Sequence, residues 1–241
     1  MSNHIIDGNI IYADGSQAWY KDGRLHRDDD LPAEIYADGA KYWYQNGKLH
    51  RDNDLPAAIQ ADGINGKSSQ LWYKNGTIYR DNELPAVINS NGTQFWYKCG
   101  RLHRDDDLPA VIHANGTEEW YQNGQLHRDN DLPAIIHANV KYWYQNGRIH
   151  RNNDLPAEVW SSGTKQWYRN GQLHRGHGLP AVMWTNGTEK WYEYGSKITH
   201  DEIIIRIKHS MWQTEENNVN YFQWLPIEMN LITNEMLKAN E

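Results

Sequence analysis

The chain has 241 residues, a formal net charge of -7 and a hydrophobic content of 39%, which are typical of an ordered protein with one large or two small domains. No apolar run approaches the roughly 20 residues that a bilayer span needs, and the excess of acidic residues argues against binding to nucleic-acid phosphates. A single cysteine, Cys99, excludes an internal disulfide framework and a cysteine-rich zinc site.

The N-terminal residues Met1-Ser2-Asn3-His4 lack the basic and apolar regions of a secretory signal. We therefore expect a cytoplasmic protein without a membrane span.

The dipeptide Trp-Tyr recurs eight times before Gly195, and this repeat dominates the sequence. It begins at residues 19, 43, 72, 96, 120, 143, 167 and 191, so most copies are 24 residues apart. The consensus of the copies is W-Y-x-N-G-x-L-H-R-D-x-D-L-P-A-x-I. We expect residues 1–195 to form one repeat domain, because no single copy could bury its apolar face without a neighbour.

Each copy predicts β-structure, because short alternating segments are separated by Asp-Gly or Asn-Gly turns and none has a helical period. Three-residue loops at Ala37-Asp38-Gly39 and at Gln45-Asn46-Gly47 would place Ile35, Trp43 and Leu49 on one face. The expected fold is all-β: an elongated antiparallel meander or solenoid of about eight hairpin repeats. Its core would consist of the recurring Trp, Ile or Val, Leu and Ala, with the other positions facing outward.

Residues 196–241 depart from the repeat and predict a small, partly helical C-terminal cap. Thr199-His200-Asp201-Glu202 fits a capping box, and the apolar residues that follow have helical spacing: Ile203, Ile204, Ile207 and Met211. A second helix is expected after Pro226. Such a cap would cover the last open edge of the sheet. The alternative is a dimerisation or docking element, so homodimerisation through this segment stays open.

One face of the predicted sheet changes from copy to copy and is the candidate binding surface. The positions that follow the recurring Ile or Val, and those that precede each Trp, do not repeat. A constant fold with one variable face favours specificity at that face, although drift on a solvated surface would give the same variation. We expect large aromatic side chains to be exposed there. The candidate binding residues are Tyr36, Tyr42, Phe95, His113, His137, Tyr142, Trp160 and Trp184.

The tripeptide His-Arg-Asp occurs in four copies, which argues against a catalytic role for it. A kinase catalytic loop would need a single copy with a Gly-rich loop and Asp-Phe-Gly elsewhere. We therefore predict no catalytic residues. Arg51 is expected to pair with Asp52 and Asp54 and so to order its own loop. Paired acids such as Asp28 and Asp30 would suit calcium, but the seventh copy lacks both acids, so no metal or cofactor is expected.

The repeat unit resembles the MORN-type repeats, in the variant with Trp-Tyr-x-Asn-Gly-x-x-His-Arg and Pro-Ala-x-Ile that large DNA viruses and bacteria carry. The resemblance covers roughly residues 8–195. The repeat unit differs from the standard MORN pattern, in which Gly rather than Arg follows His. We therefore do not expect this chain to share the lipid binding described for some MORN proteins. The resemblance implies an elongated β-meander that acts as a scaffold or interaction surface without catalysis.

The function expected is thus a non-enzymatic scaffold or protein-interaction module with a protein partner. A viral protein of the host cytoplasm or the virion would fit this expectation. The alternative is a carbohydrate-binding module, because Trp-Tyr-x-Asn-Gly hairpins also resemble choline- and glucan-binding repeats whose rings stack on their ligands.

Overall fold

The computed structural model describes residues 7–61, 66–199 and 201–205, and this part of the chain is nearly all antiparallel β-structure. The described residues divide into two compact units, the first within residues 1–129 and 134–138 and the second within residues 130–133 and 139–241. Within each unit, most repeats contribute two strands to a long sheet and one short hairpin beside it. The β-meander fold class predicted from the sequence is confirmed.

In the first unit, antiparallel pairing joins the sheet strands in chain order, except that Glu34–Ile35 pairs with Gln17–Lys21 and not with Arg24–Leu25. The sheet strands are Gly8–Ile11, Gln17–Lys21, Arg24–Leu25, Glu34–Ile35, Lys41–Tyr42, Ala58–Ala61, Ser68–Leu71, Val87–Ile88, Gln94–Phe95, Val111–Ile112, Glu118–Glu119 and Ile135–His137. The short hairpins pair Tyr44–Gln45 with Lys48–Leu49, Tyr73–Lys74 with Thr77–Ile78, Tyr97–Lys98 with Arg101–Leu102, and Tyr121–Gln122 with Gln125–Leu126.

The second unit repeats this arrangement. Its sheet strands are Val140–Tyr142, Glu158–Trp160, Lys165–Gln166, Val182–Met183, Glu189–Glu193 and Ser196–Ile198. Its short hairpins pair Tyr144–Gln145 with Arg148–Ile149, and Tyr168–Arg169 with Gln172–Leu173. Because Ser196–Ile198 pairs with Glu189–Glu193, regular β-structure reaches Ile198, beyond the predicted repeat boundary at residue 195.

Six sheet hairpins in the described part of the chain turn through three-residue loops, as the sequence predicts. The N–H of Tyr36 donates to the carbonyl oxygen of Ala40 at 2.9 Å, and residues 37–39 form the loop between them. Gly39 has a φ of +91°, a conformation that suits glycine. Ile35 is paired with Lys41, so strand parity places Ile35 on the face of Trp43.

The short hairpins use a two-residue turn, and here the expected register is wrong. Asn46 and Gly47 both have positive φ, at 52° and 78°, which is the geometry of a type I′ turn. This turn pairs Tyr44 with Leu49. Leu49 therefore lies across from Tyr44 and not beside Trp43, because shortening the loop by one residue reverses the parity of the strand that follows.

The recurring Trp is buried, as predicted for Trp43, Trp96, Trp120 and Trp143, each of which is at most 9% exposed. The Ala that follows Pro is fully buried in seven copies: Ala33, Ala57, Ala86, Ala110, Ala134, Ala157 and Ala181. These Trp and Ala side chains form the constant part of the core.

The expected division of each strand into one core face and one outward face is wrong. The recurring Ile or Val, such as Ile112, is only half-buried, whereas its predecessor Val111 is 1% exposed. The predecessor varies in identity but is also buried as Ala58, Val87, Glu158 and Val182. The face opposite Trp is therefore partly covered as well. In one copy the Tyr after Trp contributes, because the Tyr168 hydroxyl donates to the Glu158 carboxylate at 3.3 Å.

The predicted capping box at the C-terminal segment is present. The N–H and the hydroxyl of Thr199 donate to the Glu202 carboxylate at 2.8 and 2.9 Å, and the Glu202 N–H donates to the Thr199 hydroxyl. Residues 201–205 are helical, and Ile203 is 2% exposed. The predicted helical positions Ile207 and Met211 and the second helix after Pro226 lie outside the described residues.

No helix in the described part of the chain has the length and apolar character that a bilayer span requires.

Candidate interaction face

In each unit, the candidate binding residues lie on one face of the sheet, and we call this face the variable face. It consists of three positions of each copy: the residue before the recurring Ile or Val, the residue after it, and the residue before Trp. Glu34 pairs with Tyr42, Val87 with Phe95 and Glu158 with Gln166, so the strand pairing aligns the first and third positions. Strand parity adds the second position to the same face.

In the first unit, the side chains of the variable face contact one another. Tyr36 and Tyr42 meet edge to face with their ring centroids 5.4 Å apart. The Nε2 atom of His113 lies 2.9 Å from Oε1 of Glu119, and the Tyr121 hydroxyl donates to the other oxygen of the same carboxylate. These contacts tie neighbouring strands together across the face.

In the second unit, Glu158 is the centre of the face. Its carboxylate is buried and accepts hydrogen bonds from the Trp160 indole N–H, from the Gln166 amide at 3.2 Å and from the Tyr168 hydroxyl at 3.3 Å. Burial, together with the Glu158 charge, raises the pKa of Tyr168 to about 12, so this hydroxyl stays a donor at neutral pH.

Burial on this face also affects the first repeat. It raises the pKa of the Glu34 carboxyl, and the Tyr44 hydroxyl opposes that shift. The pKa of Tyr44 is raised in turn, first by burial and then by the Glu34 charge.

Exposure on the variable face differs from the expectation for the large rings. Tyr36 is 44% exposed and His137 is exposed, in agreement with it. Tyr42, Phe95, His113, Tyr142, Trp160 and Trp184 are half-buried. Packing between adjacent strands explains the difference: Lys190, for example, lies over the Trp184 ring at 4.8 Å.

A row of exposed leucines was not identified from the sequence. The Leu of each Leu-Pro pair is 38–44% exposed in six copies: Leu31, Leu55, Leu84, Leu108, Leu132 and Leu155. Two residues with positive φ precede it, as Asp29 and Asp30 precede Leu31. The pattern Asp-x-Asp-Leu-Pro, with turn-forming residues on both sides of one Leu, could have indicated its exposure.

The His-Arg-Asp residues link adjacent copies and do not order the loop of one copy as expected. Arg51 forms two hydrogen bonds of 2.8 Å with the Asp30 carboxylate of the preceding copy. Asp52 instead bonds to His50 of its own copy, and Asp54 receives Arg80 of the following copy. The expected pairs of Arg51 with Asp52 and Asp54 are therefore wrong.

Arg and Trp stack within each of seven copies. The guanidinium carbon lies 3.7–4.0 Å from the ring centroid in Arg27–Trp19, Arg51–Trp43, Arg80–Trp72, Arg104–Trp96, Arg128–Trp120, Arg151–Trp143 and Arg175–Trp167. The indole N–H reaches the preceding copy, since Trp43 donates to the carbonyl oxygen of Asp30 at 3.0 Å.

The recurring His also links adjacent copies. His26 contacts the Asp28 carboxylate through Nε2 at 2.9 Å, and its Nδ1 accepts the N–H of Asn46 in the next copy at 3.1 Å. The paired acids that would suit calcium contact other side chains. Asp28 accepts a hydrogen bond from Lys21 and contacts His26, and Asp30 accepts hydrogen bonds from Arg51. Among residues 7–61, 66–199 and 201–205, no group of three or more His, Cys, Asp or Glu is arranged to hold a metal ion.

No family model and no curated protein sequence matches the chain.

Proposed function

We propose that the chain is a non-enzymatic repeat scaffold that binds a protein partner through its variable face. One observation carries the proposal: the recurring His, Arg, Asp and Trp side chains bond to neighbouring copies, whereas the variable face changes its chemistry on a constant strand register. The recurring polar side chains that could take part in catalysis therefore hold the repeats together. The copies differ instead in the side chains of the variable face.

The surface chemistry supports a protein partner. Aromatic, imidazole, carboxylate and amide groups alternate along the face, as with Tyr36, His113, Glu119 and Gln166. Protein interfaces concentrate their binding energy in aromatic side chains within such mixed surroundings. The exposed leucine row would add an apolar contact in each copy that it includes.

The free thiol of Cys99 is exposed, which suits a reducing compartment. A cytoplasmic location, in a host cell or a virion if the protein is viral, belongs to the same proposal.

A capture experiment with two matched double variants tests the proposal. The full chain is immobilised and presented with host-cell extract, and the same is done for Tyr36→Ser/Tyr42→Ser and for Lys41→Ser/Gln70→Ser. The first pair lies on the variable face, whereas Lys41 and Gln70 are exposed residues paired with the recurring Ile on the opposite face. We expect a captured protein whose yield falls at least tenfold for the first variant and is retained by the second.

Equal capture by both variants would contradict the assignment to the variable face. A parallel glycan array separates the alternative function: saturable glycan binding that the first variant abolishes, without any captured protein, would replace the scaffold by a carbohydrate-binding module.

A further inference from the structure

A carboxylate lies between two side-chain donors in each of the first five copies. In the first copy, Asp28 receives the Lys21 ammonium and contacts Nε2 of His26, both at 2.9 Å. The first donor always comes two residues after Trp and the second seven residues after it. The equivalent groups are Gln45, His50 and Asp52; Lys74, Tyr79 and Asp81; Lys98, His103 and Asp105; and Gln122, His127 and Asp129.

The seventh copy keeps the two donors and lacks the acceptor. Arg169 and His174 occupy the donor positions, and Gly176 stands where the first five copies have Asp and the sixth has Asn152. Among the first seven copies, the seventh is therefore the one that has no acceptor side chain at this position.

The backbone around Gly176 retains the conformation of the other copies. His177 and Gly178 have φ values of 60° and 68°, which match the 61° and 53° of Asp29 and Asp30. The N–H of the following Leu179 donates to the carbonyl oxygen of Gly176 at 3.2 Å, as the equivalent Leu does in the first copy at 3.3 Å. The loop has therefore not closed over the position of the lost side chain.

Space is present at this position. A cleft of about 430 Å³ is lined by Arg169, His174, Gly176 and His177, and by His150 of the preceding copy. A Cβ atom placed on Gly176 would meet no heavy atom within 4 Å, and the φ of Gly176 is outside the left-handed region. An aspartate side chain would thus fit there without strain.

The two donors are available. Nδ1 of His174 accepts the N–H of Tyr194 at 3.4 Å, and the His174 ring stacks on Tyr194 with centroids 4.3 Å apart. In the neutral ring the proton is then on Nε2. Within the described residues, neither this nitrogen nor the Arg169 guanidinium has a hydrogen-bond partner.

Charges of both signs surround His174, and Arg169 is the cation among them that has no carboxylate partner in the described part of the chain. Burial and the Arg169 charge lower the pKa of His174, and Glu193 acts in the opposite direction. The nearby Arg175 is already paired with Asp154, through contacts of 2.8–3.1 Å. In the first five copies the residue equivalent to Arg169 donates a hydrogen bond to a carboxylate, and the copy of Arg169 has no such carboxylate.

We propose that Arg169, His174 and Gly176 form a binding site for one external carboxylate, which would take the place of the missing aspartate side chain. The carboxylate would accept hydrogen bonds from the Arg169 guanidinium and from Nε2 of His174. Its source is either a small free carboxylate or the Asp or Glu side chain of another protein. This inference does not depend on the variable face.

Acetate is the appropriate first probe, because it reproduces the aspartate side chain that Gly176 lacks. The full chain, with isotope-labelled histidine, is titrated with sodium acetate at constant pH and ionic strength, and the His174 ring resonances are followed by NMR. His174→Gln assigns these resonances. We expect a saturable shift of the His174 ring protons and a rise of its pKa as acetate binds.

Two substitutions at one position provide the control. Gly176→Asp supplies the carboxylate within the chain, so its His174 resonances should already lie near the acetate-bound position and should not respond to acetate. Gly176→Ala, which adds a methyl group without charge, should retain the response. Unchanged amide resonances in the rest of the chain verify that both variants fold.

A blocked tripeptide, acetyl-Gly-Asp-Gly-amide, distinguishes the two sources. A response to this peptide as well as to acetate assigns the site to a partner's acidic side chain, and a response to acetate alone assigns it to a small carboxylate. No saturable shift with acetate, an equal shift in Gly176→Asp, or the same shift with sodium chloride would overturn the proposal.

Discussion

Arg51 and Asp30 belong to adjacent repeats and form a bidentate ion pair, with Nε to Oδ1 and Nη2 to Oδ2 distances of 2.8 Å. The same guanidinium lies 3.9 Å from the centroid of the Trp43 ring and donates to the carbonyl oxygen of Pro56 at 3.3 Å. One Arg thus joins the indole of its own copy to the turn of the preceding copy. Arg80, Arg128, Arg151 and Arg175 form the equivalent pairs with Asp54, Asp107, Asp131 and Asp154.

Arg104 departs from this pattern, because Glu83 stands where the copies preceding these arginines have Asp. The Nε atom of Arg104 is buried and has no hydrogen-bond partner among the described residues. Glu83→Asp should restore the bidentate pair and also suits the positive φ of 55° at this position. We expect urea denaturation to show a gain of about 1 kcal/mol in the free energy of unfolding.

Asp107→Glu is the reciprocal control for that substitution. It imposes the longer side chain on a pair that Arg128 now forms at 2.8–2.9 Å. The free energy of unfolding should fall by about 1 kcal/mol. If the free energy of unfolding changed with the same sign in Glu83→Asp and Asp107→Glu, the length of the acidic side chain would not control its ion pair with the Arg of the next copy.

Trp120 is 6% exposed and donates its indole N–H to the carbonyl oxygen of Asp107 at 2.9 Å. Trp120→Ala should reduce the free energy of unfolding by about 3–5 kcal/mol, because it leaves a cavity and removes the stacking surface of Arg128. Trp120→Phe keeps most of the apolar volume and should cost about 1–2 kcal/mol. A loss below about 1 kcal/mol for Trp120→Ala, measured by denaturant melts, would be incompatible with the buried position.

Much of the fold could be predicted because the same pattern recurs in each copy, so every copy supports the same structural interpretation. Recurring Trp, the Ala37-Asp38-Gly39 loop and the C-terminal capping box each depend on local chemistry that the sequence displays. The register of the short hairpin could not be deduced in the same way, because Asn-Gly suits loops of two or three residues and only the positive φ of both turn residues decides between them.

The variable face was predicted in position and not in exposure. Sequence variation predicts solvent contact, but Val87, Val111 and Glu158 vary while buried. At Glu158, hydrogen bonds from Trp160, Gln166 and Tyr168 surround the side chain.

The partner of Arg51 was also missed. Neighbours in sequence, Asp52 and Asp54, gave no indication that an acid 21 residues earlier is closer in space.

Trp160 and Tyr36 should respond differently to truncation, although both are candidate binding residues. Trp160 donates to the buried Glu158 carboxylate, so Trp160→Ser would leave that charge with fewer partners and should cost about 2 kcal/mol of unfolding free energy. Tyr36 is 44% exposed, and Tyr36→Ser should cost less than about 1 kcal/mol. Thermal and denaturant melts of the two variants check this order, and the reverse order would show that Tyr36 belongs to the core.

Acid should weaken the fold in two steps. Hydrogen bonds from Arg51, Arg80 and Arg151 lower the pKa values of Asp30, Asp54 and Asp131. Because the unfolded carboxyls take up protons at a higher pH than the folded ones, this stabilisation is complete above about pH 4 and is lost as the pH falls through the lower folded values.

The lowered pKa of His174 acts in the same direction at higher pH. The unfolded imidazole is protonated near pH 6.5, whereas the folded one resists protonation, so stability falls as the pH drops below about 6.5. Urea midpoints measured between pH 8 and pH 3 should therefore decline in both ranges. His174→Gln should remove the upper step and Asp30→Asn should reduce the lower one, and a midpoint that rises on acidification would contradict the assignment.

A double-mutant cycle on Arg51 and Asp30 tests most directly whether these side chains join neighbouring copies. The free energies of unfolding of Arg51→Ala, Asp30→Ala and the double variant should give a coupling energy of about 1 kcal/mol, as expected for a bidentate pair that is partly shielded from water. A second cycle with Asp52→Ala in place of Asp30→Ala should give additive effects. Coupling of Arg51 to Asp52 and none to Asp30 would contradict the assignment of this arginine to the preceding repeat.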